Sequence, residues 1–136
     1  MIGADIYRTE SHKPLGQFIA DLSSQARESG FLIHNAERMD MARTFVDHGV
    51  AVADGFDLHM VQICKPAKAG ESLGANPERA PLMPKFIMVF SRDGRTQIRL
   101  LRYHPELVVA LVDDPGFAGS LSDSFSAITA MIEAAA

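Results

Sequence analysis

Two apolar runs constrain the fold of this chain more than any other feature. Val61-Gln62-Ile63-Cys64 ends at Lys65-Pro66, and Lys85-Phe86-Ile87-Met88-Val89-Phe90 begins directly after Leu82-Met83-Pro84. Proline has no N–H to give to a ladder and so stands at the ends of strands, which bounds each run on one side. Apolar density is nearly continuous from Phe56 to Cys64, the pattern of a central strand. The second run passes through Ser91-Arg92-Asp93-Gly94-Arg95 into a further strand over Thr96 to Tyr103. Asp-Gly at that junction predicts a tight hairpin, because both residues tolerate the positive φ that such a turn requires.

Upstream, residues 4–9 read as a short first strand. Leu15, Phe18, Ile19, Leu22 and Ala26 then recur at helical spacing, which predicts an amphipathic helix over about residues 14–29, with Pro14 in its first turn and Gly30 just past its end. Phe31 to His34 follows as a strand, and Met39, Ala42, Phe45 and Val46 mark a shorter helix stopping near Gly49. Residues 67–83 contain Gly70, Gly74, Pro77 and Pro81 and read as a loop with a short helical turn, a length that suggests a role in binding or packing. After the hairpin, Pro105 opens a helix with Leu107, Val108 and Leu111 turned inward. Asp113-Asp114-Pro115-Gly116 breaks it, and Leu121, Phe125, Ile128 and Ile132 form the stripe of a terminal helix. No repeat or linker interrupts this order, so residues 1–136 form one α+β domain. Its expected architecture is a largely antiparallel sheet of about five strands with helices packed on it.

Composition removes several functions. The chain of 136 residues is 47% hydrophobic and 22% charged, the balance of a folded globular domain rather than of disorder. Its formal net charge is −4, with 13 basic and 17 acidic residues interleaved. That leaves no basic stripe for phosphates, and nucleic acid is not an expected partner. No apolar run reaches the roughly 20 residues that span a bilayer, and no secretory pattern opens the chain, so a cytoplasmic protein without membrane contact is expected. The single cysteine excludes an internal disulfide and a thiolate-based zinc site. His12, His34, His48, His59 and His104 never fall at a metal-ligand spacing, so neither a metal nor another cofactor is expected.

With its elements in this order, the chain resembles the bacterial family catalogued as domain of unknown function 302. The resemblance is carried by Gly30-Phe31 opening a strand, by Cys64-Lys65-Pro66 closing another, by Leu82-Met83-Pro84 ahead of the hairpin through Asp93-Gly94, and by the run from Pro105 onward. It extends over nearly the whole chain and implies a compact α+β fold without a particular activity. Many members carry a cysteine directly after the Leu-x-Pro proline, where this chain has Lys85. A family role for a cysteine pair in redox or metal chemistry is therefore not carried over.

The candidate site residues are Cys64, Lys65, Lys85, His59 and Arg99. Cys64 stands at a strand end, before a helical turn whose free N–H groups favour a thiolate, with Lys65, Lys68 and Lys85 in range to favour it further. Against this, a free cysteine most often packs as a small hydrophobe. His34 and His59 fall on strands and could meet across the sheet, but a solvated or hydrogen-bonded histidine is the better account of each. Arg92, Arg95, Arg99 and Arg102 cluster on and after the hairpin and with Lys85 could form an anion-facing patch; strand parity puts Arg95 and Arg99 together but sets Arg102 apart, and protection of an edge strand accounts better for such charges. No glycine pattern matches a phosphate-binding loop. The expectation is a domain that holds a small ligand between its sheet and the segment from Lys65 to Met83. The alternatives are a homo-oligomeric interaction module without ligand, or a sulfur-handling protein using Cys64. Uncovered sheet edges lead to the expectation of a homodimer.

Overall fold

The computed structural model describes residues 2–136. Five strands, β1 (Ala4–Ser11), β2 (Leu32–Ile33), β3 (Leu58–Cys64), β4 (Lys85–Arg92) and β5 (Arg95–Tyr103), form one sheet in the order β1-β5-β4-β3-β2. Every neighbouring pair is antiparallel. The α+β domain read from the sequence is thus the observed one. The hairpin also stands where Asp93-Gly94 placed it, with Arg92 opposite Arg95 and φ of 54° at Asp93 and 74° at Gly94. Both central residues of this two-residue turn are left-handed, which matches the twist of the strands it joins.

Strand alternation sorts the core from the outer surface. In β5, Thr96, Ile98 and Leu100 are buried while Arg95 and Leu101 are exposed; Val61, Ile63, Ile87 and Val89 continue the inward face across β3 and β4. Onto that face pack α1 (Leu15–Glu28) through Phe18, Ile19, Leu22 and Ala26, and α5 (Pro115–Ala135) through Phe117, Leu121, Phe125, Ile128 and Ile132. The end of α1 follows from Gly30, whose φ of 78° lets the Phe31 N–H reach Ala26 O and the Gly30 N–H reach Arg27 O, the paired bonds of a Schellman cap. The start of α5 is set by Asp114, whose side chain accepts from the Phe117 N–H.

Several elements differ from the sequence reading. Residues 67–83 are not a loop: α3 (Pro66–Ala75) and a 3-10 helix (Pro77–Leu82) occupy them. Each begins with proline in its first turn, the one helical location where the missing N–H costs nothing. Gly70 and Gly74 lie inside α3 and weaken it without breaking it. The central strand is β4, whereas β3 lies one place from the edge beside a two-residue β2. Nor is β5 an edge strand, since β1 covers it along its length, so edge protection does not account for its arginines. The helices α2 (Met41–Asp47) and α4 (Pro105–Leu111) are peripheral. The first buries no residue; the second buries only Val108, leaving Leu111 61% exposed at its terminus.

Candidate functional site

At one end of the sheet, the close of β3 and the opening of β4 meet the first turns of α3 and α5 around a cavity of about 170 Å³. Both helices contribute a stripe at the same spacing. From the α3 side come Lys65, Lys68, Ala69 and Ser72, and from α5 come Phe117, Ser120, Leu121 and Ser124, positions that share one helical face. Phe31, Ile63, Leu73 and Met83 complete an apolar wall, and Cys64 and Lys85 enter from the strand ends. Pro66 follows the end of β3 and Pro84 precedes the start of β4, and Pro84 is itself on the lining.

The electrostatics of this cavity are one-sided. Lys65, Lys68 and Lys85 line it, and no aspartate or glutamate does. Among the described residues none of the three forms an ion pair with a carboxylate, while Lys13 pairs with Asp21 at 2.8 Å. Neutral groups hold them instead. Lys68 Nζ donates to Ser124 Oγ at 3.0 Å and to Ser120 O at 3.1 Å, and Lys85 Nζ donates to Met83 O at 2.9 Å. Lys65 Nζ lies 5.4 Å from the Phe31 ring centroid and Lys85 Nζ 5.8 Å from that of Phe125, within cation–π reach. Burial pushes the Lys85 amine from its usual 10.5 down to about 8, with Cys64 opposing the shift and Lys68 adding to it. The α3 N-terminus adds to the positive field: its capping residue is Lys65, whose side chain accepts nothing, so no side-chain cap reaches the first-turn amides.

Of the residues singled out in the sequence, Cys64, Lys65 and Lys85 come together here, and His59 and Arg99 do not. Cys64 is half-buried and borders the cavity rather than the core. His59 lies on β3 opposite Val89, bridged to Asp40, and its Nδ1 is buried without a hydrogen-bond partner. His34 falls level with Gln62, so the two histidines do not meet across the ladder. Arg99 points to the sheet face away from the helices, where it donates to Thr9 O and stacks 5.3 Å from the Phe90 ring centroid. Arg102 holds Asp5 through two bonds of 2.9 and 2.6 Å. The contributions of Phe31, Ser120 and Ser124 escaped the sequence reading. The available signal was the distribution of lysine: the chain has four, and three of them fall at 65, 68 and 85, beside the two prolines.

Fold and cavity together define an α+β domain with helices on one sheet face and a cationic, apolar-walled cavity at one end. The profile of the family described as domain of unknown function DUF302 matches residues 7–135, and the chain belongs to that family. The crystal structure of an uncharacterized conserved DUF302 protein from Bacillus stearothermophilus superposes with a TM-score of 0.79 at 17% identity, covering 96% of this chain and 98% of that one. At that identity the likeness establishes the shared fold. Among curated proteins, none matches the chain.

Proposed function

We propose that this domain binds a small organic anion, a carboxylate or similar group on an apolar body of about one ring, in the lysine-lined cavity. The observation that carries the reading is that Lys65, Lys68 and Lys85 face a cavity without any carboxylate, in a chain whose net charge is −4. The three are partly buried, Lys85 the one most affected by burial, and a cation in that setting without a counter-charge is costly; an anionic ligand supplies that charge. A cavity of about 150 Å³ takes up benzene, so the volume here suits a single ring or a short chain against Phe31, Leu73, Phe117 and Leu121. This reading keeps the ligand beside residues 65–83, which act as a helical cover instead of a loop.

Titration calorimetry with benzoate, and with benzyl alcohol as its neutral counterpart, tests the proposal. Benzoate is expected to bind at least tenfold more tightly than the alcohol, and Lys68→Met to weaken benzoate by about tenfold, the scale of one charge-assisted hydrogen bond. Equal affinity for the two compounds would contradict the reading.

A second reading, self-association, rests on a separate observation. On the uncovered sheet face, Ile6 is 45% and Leu101 49% exposed beside a groove of about 280 Å³ that also includes Phe86, Met88 and Tyr103. Ile6 belongs to β1, an eight-residue strand at the sheet edge. Antiparallel pairing of β1 with β1 of a second copy would satisfy the edge amides and cover this patch through one two-fold contact.

A further inference from the structure

We propose that Lys85 is a carbonyl-trapping residue, forming a reversible Schiff base with an aldehyde or ketone group on the anion held in the cavity. The inference rests on the anion-binding reading and adds a chemical class to the ligand, an oxo-acid. Its first support is the choice of cation. The chain has nine arginines and four lysines, and its side-chain ion pairs to carboxylates use Arg43, Arg79, Arg95 and Arg102 along with Lys13. On the cavity lining itself all three cations are lysine, with Arg79 behind it, held by Asp114 and reaching Ser72. For simple recognition of a carboxylate, arginine is the better residue, since its planar fork binds both oxygens. Lysine alone can lose its proton and attack a carbon.

The second support is geometric. A lysine amine becomes a nucleophile when it is desolvated in an apolar site or set beside another cation, and Lys85 meets both conditions. It enters the cavity from the first residue of β4, directly after Pro84, with Lys68 close enough to disfavour its charge and no carboxylate on the lining to hold its proton. The lowered affinity of this amine for its proton, about 8, leaves about a tenth of it neutral at pH 7. The bond from Nζ to Met83 O uses an N–H, which a neutral amine retains, so the lone pair remains free to react. Lys65 and Lys68 are then left to receive the anionic group. In the reaction the neutral Lys85 nitrogen adds to the carbonyl carbon, and the carbonyl oxygen takes up the two protons that this nitrogen loses and leaves as water. A C=N bond replaces C=O, and no oxidant or reductant enters.

The test uses 4-formylbenzoate with cyanoborohydride, followed by peptide mapping of all four lysines. We expect the reduced adduct at Lys85 in at least tenfold excess over Lys13, an initial rate that rises through pH 8, and protection by excess benzoate. Lys85→Arg, whose guanidinium stays protonated and forms no imine, should abolish the adduct, and its circular dichroism spectrum establishes that it folds. Even labelling of the four lysines, with benzoate binding intact, overturns the Schiff-base inference and leaves the anion site standing. Failure of benzoate either to bind or to protect overturns both.

Discussion

Lys85 shows at the scale of one residue how a cation drawn into a cavity works against the stability of the fold that carries it. Its amine is held near 8 in the folded chain and near the ordinary 10.4 when unfolded. Below pH 8 both states are protonated and the folded state bears the full desolvation penalty. Between about pH 8 and 10.5 the folded state has released a proton that the unfolded state still binds, so stability from this group rises with pH through that window. Lys85→Met should therefore stabilise the protein at pH 7 by about 1–3 kcal/mol, allowing for the amine's partial exposure. The gain should shrink toward pH 10. Urea unfolding at the two pH values measures it, and a loss of stability at pH 7 would show that the bond to Met83 O and the contact with Phe125 outweigh desolvation. The sequence pointed to this residue through its place after Pro84, where many family members carry a cysteine, and as a cation in range of Cys64, but which atoms surround it depends on α5, which lies far along the chain.

At the scale of the element, α3 is the part least legible in the sequence. Gly70, Gly74, Pro77 and Pro81 are breaker residues by propensity, and they led to a loop. The chain forms helices there because both prolines at the element starts occupy permitted positions and because the segment is anchored from outside. Lys68 bonds Ser120 O and Ser124 Oγ, and Arg79 bonds Asp114, the cap of α5, at 2.7 Å while also reaching Ser72. The helix itself fully buries no residue, and its side-chain anchors here are polar, with Ala69 and Leu73 partly buried beside the cavity. A Cβ added at Gly70 would meet nothing within 4 Å. Gly70→Ala should thus raise stability by about 0.5–1 kcal/mol, the helix-propensity difference, without touching the cavity. Hydrogen exchange of the residue 67–75 amides should slow in the same variant. Unchanged exchange there would mean that the segment is held by packing rather than by helix formation.

For the molecule as a whole, the sheet, the hairpin, α1 and α5 were readable because period and turn chemistry are local signals: the stripe from Phe18 to Ala26 and the Asp93-Gly94 turn need no tertiary information. Strand order was not readable, since nothing in β5 announces that β1 returns to cover it, and the arginines of β5 consequently looked like edge charges. Self-association also belongs to this scale. If two copies pair through β1, light scattering at tens of micromolar should give twice the monomer mass of 14.8 kDa, and Leu101→Asp should return it to the monomer value. Monomer mass for the unmodified chain would rule that pairing out. None of the elements is a helix long and apolar enough to cross a membrane. The central claim concerns where a small anion binds, and amide chemical-shift mapping with benzoate addresses it most directly. The account predicts saturable shifts confined to residues 62–73, 83–85 and 117–124. Shifts centred on Ile6, Met88 and Leu101, or none at millimolar benzoate, would contradict it.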